Sequence, residues 1–117
     1  MGSVLFVEDE ESIRNLATQF LRGHEVATAS DGIEALAHID THGAPNLVIT
    51  DVTMANMNGM TLARELDERN IPYAFITGHP HGTVQDNFGS PIPEANFLPK
   101  PFDLGKMRSL VDHYSNP

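Results

Sequence analysis

Short runs made only of apolar residues alternate along the chain with longer stretches whose apolar positions recur every three or four residues. Val4-Leu5-Phe6-Val7 shows no polar alternation, which marks a strand covered on both faces. From Glu10 to Gly23, residues Ile13, Leu16, Ala17, Phe20 and Leu21 fall at helical spacing, and Gly23 is a natural helix stop. Val26-Ala27-Thr28-Ala29 is a weaker strand suited to an edge, and Ser30-Asp31-Gly32 carries turn and cap chemistry. A second helix bears Ile33, Leu36, Ala37 and Ile39 and is broken by Gly43-Ala44-Pro45-Asn46. Leu47-Val48-Ile49-Thr50 is a third strand, closing at Asp51. Asn58-Gly59 opens a third helix with Met60, Ala63 and Leu66 on one side. Pro72 to Thr77 is a fourth strand, with its proline at the first position, where a missing N–H is tolerated. Asn96-Phe97-Leu98-Pro99 is a short fifth strand, and Leu104, Met107, Leu110, Val111 and Tyr114 trace a final helix.

Strand and helix in strict alternation imply a parallel sheet with helices on both faces. Right-handed crossovers lead to an α/β, doubly wound, flavodoxin-like sheet of five strands in the order 2-1-3-4-5. One stretch breaks the rhythm. Between residues 78 and 95 lie Gly78, Pro80, Gly82, Gly89, Pro91 and Pro93, too many breakers for a full helix. The fourth crossover is therefore expected to be mostly loop, and a loop of that length in a small domain is usually functional or mobile.

Length and composition narrow the rest. The 117 residues make one ordinary domain, expected to span residues 1–117, and 40% hydrophobic content suffices for one core. The net charge of −9 argues against direct binding of nucleic acid or anionic lipid. With no cysteine there is no disulfide framework, thiol nucleophile or thiolate-bound zinc. No apolar run approaches bilayer length and no secretory signal precedes Val4, so the expectation is a cytoplasmic protein without a membrane partner.

In a doubly wound sheet, ligands gather at the carboxyl ends of the strands. Strand one ends in Glu8-Asp9-Glu10, strand three in Asp51, strand four in Thr77-Gly78 and strand five in Lys100-Pro101. Strands one and three are neighbours in the expected order, so Asp9 and Asp51 should approach each other. Glu8, Asp9 and Asp51 in one crevice repel unless a cation sits among them, and oxygen-only ligands favour Mg²⁺ over Ca²⁺. With Lys100 and Thr77 at the rim, the set suits phosphoryl transfer to a carboxylate, which needs mainly charge neutralisation and positioning. Asp51 is the best nucleophile, because it closes the central strand.

These pieces resemble the response-regulator receiver domain of two-component signalling. The resemblance rests on Val4 to Glu10, Leu47 to Met54, Met57-Asn58-Gly59, Ile76-Thr77-Gly78 and Leu98 to Phe102, in that order and spacing. It implies a phosphorelay receiver in which Asp51 accepts a phosphoryl group from a histidine kinase or histidine phosphotransfer protein and an unidentified downstream protein reads the result. It implies Mg²⁺ on Asp9 and Asp51, on Glu8 through water, and on the backbone carbonyl of Thr53. Thr77 and Lys100 would each engage a phosphoryl oxygen, and Phe97 occupies the family's aromatic switch position. The Lys100–Pro101 bond is cis in the family. Such a receiver is not a turnover enzyme, although it catalyses its own phosphorylation and dephosphorylation.

Two departures from the family stand out. Met54-Ala55 replaces the usual Met-Pro after the acceptor. Pro72 to His79 resembles a subgroup with a proline-aromatic-x-Phe-Ala-Thr-Gly-aromatic motif and a reduced fourth helix, but with Ile76 for its alanine and His79 for its aromatic. Blander readings exist for single residues: Asp51 as a capping carboxylate, Phe97 as core, His79 and His81 as solvated loop. A haloacid-dehalogenase-type phosphohydrolase needs Asp-x-Asp after its first strand, which Asp51-Val52-Thr53 on the third strand does not supply. A flavin-binding flavodoxin would need a phosphate-cradling loop after strand one. A binding module without chemistry would usually have lost the lysine or an acid.

Overall fold

The computed structural model describes residues 3–52, 58–78, 96–99 and 103–115. Its elements run β1 (Ser3–Val7), α1 (Glu11–Phe20), β2 (Glu25–Ala29), α2 (Gly32–His42), β3 (Leu47–Asp51), α3 (Gly59–Glu68), β4 (Tyr73–Thr77), β5 (Phe97–Pro99) and α4 (Leu104–Ser115). All five strands are parallel, in the order β2-β1-β3-β4-β5. The doubly wound topology is the expected one, and the weak strand β2 does lie at an edge. The crossover expected to be mostly loop lies, from residue 79 to 95, outside the described residues.

The unbroken apolar runs are explained by two cores, one on each face of the sheet. Val4 and Phe6 of β1 join Leu47, Ile49, Ile76 and Leu98 on the face covered by α1 and α4. Leu5 and Val7 point the other way, with Val48, onto Ala35 and Ile39 of α2 and Leu62 and Leu66 of α3. Alternate residues of one strand thus feed opposite cores, so neither set can be polar. A smaller group of Val52, Ala63, Phe75 and Phe97 packs beside the end of β3.

Three of the four helices among the described residues begin on a short polar side chain. Asp31 accepts the Glu34 N–H at 2.8 Å, Asn58 the Thr61 N–H at 2.9 Å and Asp103 the Lys106 N–H at 3.2 Å. Each satisfies an N–H group that the first helical turn leaves without a partner. The helix α1 is shorter than its apolar pattern suggests. It stops at Phe20, and Leu21 to Gly23 form a turn that needs the left-handed φ of +102° at Gly23. The outer end of that turn is tied to α4, where Arg108 donates to the Phe20 carbonyl at 3.0 Å and His24 Nε2 meets Asp112 Oδ1 at 2.8 Å. Ile33 and Leu16, both counted toward apolar helix faces, are 57% and 45% exposed.

Asn96 precedes β5 rather than starting it. Its side-chain amide is buried and donates twice, to the Tyr73 carbonyl at 2.9 Å and to the Tyr114 hydroxyl at 2.8 Å. One side chain therefore joins the start of β4 to the last turn of α4. Tyr73 in turn donates its hydroxyl to Asp67 of α3 at 3.1 Å. Burial, then the Asp67 charge and its hydrogen bond, hold the Tyr73 phenol well above its ordinary pKa of 10.0.

Two tests follow from this packing. Leu66→Ala empties a fully buried site and should lower unfolding free energy by about 2–5 kcal/mol in urea titrations, whereas Ile33→Ala should stay within about 0.5 kcal/mol. Because the folded state keeps Tyr73 protonated above its unfolded pKa, the stabilisation is fully present below about pH 10 and is lost as pH rises beyond it. Tyr73→Phe should accordingly flatten the alkaline decline in stability measured by denaturant unfolding.

Candidate functional site

The register of the sheet sets the site. Val7 of β1 stands level with Thr50 of β3, so Glu8 and Asp51 emerge side by side at the carboxyl edge. The Glu8 N–H extends the ladder by one bond, to the Ala29 carbonyl at 3.0 Å. Glu8 is 1% exposed and Asp51 7%, while Asp9 faces solvent. Carboxylate oxygens of Glu8, Asp9 and Asp51 all lie within 4.8 Å of one another. Two full negative charges at that separation repel by roughly 3 kcal/mol at an effective dielectric of 20. A divalent cation placed among them converts that repulsion into attraction.

The donor set is entirely carboxylate oxygen, with no histidine in the group. That chemistry fits a small hard divalent cation and is unsuited to a soft one. Thr77 closes β4 one register step beyond the level of Asp51 and is 2% exposed. Phe97 is 7% exposed and packs with Val52, the residue that follows Asp51. Thr53, Lys100 and Pro101, with Met54, Ala55 and His79, lie outside the described residues.

Backbone contacts hold Asp51 in place. Thr50 Oγ1 donates to the Asp51 carbonyl at 3.0 Å, and the Val52 N–H reaches the Ile76 carbonyl at 3.3 Å. The chain returns at Gly59, whose N–H donates to the Val52 carbonyl at 2.8 Å. A Cβ on residue 59 would sit 2.0 Å from the Asp51 carbonyl oxygen and 2.9 Å from its carbon. Only glycine permits the start of α3 to approach β3 this closely.

Two contributors have weak signals in the sequence. Gly59 reads as a helix opener beside Asn58, yet its close approach to the Asp51 backbone is what seats the helix. Arg14, one turn into α1, donates to the Glu8 carbonyl at 2.7 Å and so places a guanidinium beside the acidic crevice. A lone arginine one turn after an acidic cluster was the available signal for it.

An acidic crevice at the carboxyl edge of a five-stranded doubly wound sheet is the arrangement of a signalling receiver. The chain belongs to the response regulator receiver domain family, whose model matches residues 4–112. It is 36% identical to the sensor kinase CckA of Brucella abortus over 94% of this chain and 12% of that protein. The solved receiver domain of the hybrid histidine kinase CckA superposes with a TM-score of 0.76 at 33% identity, covering 98% of this chain and 100% of that one. The receiver domain of the Francisella response regulator 1452 shares the fold, with a TM-score of 0.85 at 22% identity over 98% and 97% of the two chains. The chain spans between 12% and 50% of the length of the curated relatives CckA and ycf27 of Cyanophora paradoxa. Among the described residues, no helix is long and apolar enough to cross a membrane.

Gly59→Ala should weaken any binding of a divalent cation by Glu8, Asp9 and Asp51 by about tenfold or more, read from their amide shifts, because the Asp51 backbone must move to admit the methyl group. The accompanying loss of stability should be about 1–3 kcal/mol. Gly78→Ala, whose Cβ meets nothing within 4 Å, should leave stability within about 0.5 kcal/mol.

Proposed function

We propose that residues 1–117 form a single receiver unit in which Asp51 is the phosphoryl acceptor of a phosphorelay. The observation that carries this reading is the convergence of Glu8, Asp9 and Asp51 within 4.8 Å at the carboxyl edge of the sheet. Asp51 is the acceptor because it ends the central strand β3 and its backbone is held by Thr50, Ile76 and Gly59.

Glu8, Asp9 and Asp51, with the backbone carbonyl of Thr53, would hold Mg²⁺. When bound, Mg²⁺ neutralises the carboxylates and the incoming phosphoryl oxygens. A carboxylate oxygen of Asp51 attacks phosphorus of a phosphohistidine on a histidine kinase or histidine phosphotransfer protein. The O–P bond forms as the P–N bond breaks, and the electron pair stays on the imidazole nitrogen, which takes a proton from solvent. The acyl phosphate carries roughly −1.5 to −2 charge where the carboxylate carried −1, a net gain of about −0.5 to −1. Lys100 and the Thr77 hydroxyl are assigned to its oxygens, and Phe97, packed on Val52, is assigned to repack as Thr77 turns toward the phosphoryl group. A downstream protein would then read the altered surface. Supporting the reading, the chain carries every residue of this set, and its net charge of −9 disfavours nucleic acid as the direct partner.

Incubation with a small-molecule phosphodonor and Mg²⁺ should add one phosphoryl group to the intact mass of the protein. The adduct should disappear in Asp51→Asn and fall steeply in Asp9→Asn or when Mg²⁺ is chelated. An adduct of unchanged yield in Asp51→Asn would sink the assignment.

A further inference from the structure

Asn58-Gly59 opens α3, and none of the other asparagines in the chain is followed by glycine. An asparagine before glycine is open to chemistry of its own, because glycine leaves its backbone nitrogen without side-chain cover. That nitrogen can attack the asparagine side chain in plain water, with no enzyme or cofactor. Asn58 is exposed, so water reaches it.

The folded chain withholds both reactants. The Gly59 N–H must lose its proton to attack, and it donates to the Val52 carbonyl at 2.8 Å. Asn58 Oδ1 is held over the first turn of α3 by the Thr61 N–H at 2.9 Å. The Asn58 carbonyl accepts the Leu62 N–H at 3.1 Å, which fixes the peptide between the two residues. Glycine itself is required here, since a Cβ would stand 2.0 Å from the Asp51 carbonyl oxygen. The residue that seats α3 on β3 is therefore the one that leaves Asn58 open to attack, and the seat is what restrains it.

We propose that Asn58 is a self-modification site gated by the contact between Gly59 and the backbone of Asp51 and Val52. When α3 lifts from β3, the Gly59 nitrogen loses its proton and attacks Asn58 Cγ. A C–N bond forms, the bond to the side-chain amide nitrogen breaks, and ammonia leaves carrying that proton. Water then opens the cyclic imide. Opening at one carbonyl leaves an aspartate, which still caps the helix and suits its positive end. Opening at the other leaves an isoaspartate, whose main chain runs through Cβ and is one methylene longer. The added methylene changes the distance and direction at which Gly59 meets β3, so the contact does not re-form. The modification is thus slow while the acceptor end of β3 is intact and disables that end once it occurs. The proposal does not depend on Asp51 being a phosphoryl acceptor.

The test is to age the whole chain in mildly alkaline buffer, folded and in urea, and to follow the mass gain of deamidation with fragment spectra that assign its position. The gain should fall on residue 58 and run about a hundredfold or more slower in the folded chain, in proportion to how seldom α3 opens. Asn58→Ser keeps a capping oxygen but cannot cyclise with loss of ammonia, and should abolish the gain at this position. After refolding and chromatographic separation, the isoaspartate form should show displaced amide resonances of Asp51 and Val52. The aspartate form and Asn58→Asp should keep both near their native positions. Equal rates in buffer and in urea, a gain placed chiefly on another asparagine, or native Asp51 and Val52 amides in the isoaspartate form would overturn the proposal.

Discussion

Like-charge repulsion among Glu8, Asp9 and Asp51 is the constraint around which this molecule is built. Three carboxylates within 4.8 Å are an unfavourable arrangement for an isolated chain, and the backbones of the two buried ones, Glu8 and Asp51, are held in place. Glu8 is fixed by the ladder bond to Ala29 and by Arg14 on its carbonyl. Asp51 is fixed by the two-sided burial of β3 and by the return of the chain at Gly59. The fold thus holds buried carboxylates side by side, and a cation among them would offset their repulsion.

The two cores divide the labour. The face under α1 and α4 and the face under α2 and α3 draw on alternate residues of the same strands, so a shift in either core moves the strand ends that present the carboxylates. The small group of Val52, Ala63, Phe75 and Phe97 lies between the two roles, touching the residue after Asp51 on one side and β5 on the other. Asn96, immediately before Phe97, carries that connection to α4 through the Tyr114 hydroxyl.

Much of this was legible in the residues themselves. Val4 to Val7 and Leu47 to Ile49 are apolar on both faces, a pattern that only a covered parallel strand explains. Once the strand order followed from the alternation of elements, the meeting of Asp9 with Asp51 followed from register. The apolar faces of the helices were read too generously. Ile33 and Leu16 obey helical spacing yet face outward, because periodicity tells where a stripe runs and not how wide the opposing surface is. The hold on the site was the least visible part. Arg14 acts on a backbone carbonyl and Gly59 acts by what it lacks, and neither a carbonyl nor a missing Cβ leaves a pattern in neighbouring residues.

The approach of Gly59 to the Asp51 carbonyl has an evolutionary consequence. Every other amino acid carries a Cβ, so no amino-acid replacement at this position is silent in space, however mild its side chain. Residue 59 meets neither metal nor phosphate in any step described, yet a replacement there displaces the backbone of the acceptor. Lineages descending from this chain are free to vary the outward positions such as Ile33, while this one contact confines how the end of β3 and the start of α3 can diverge.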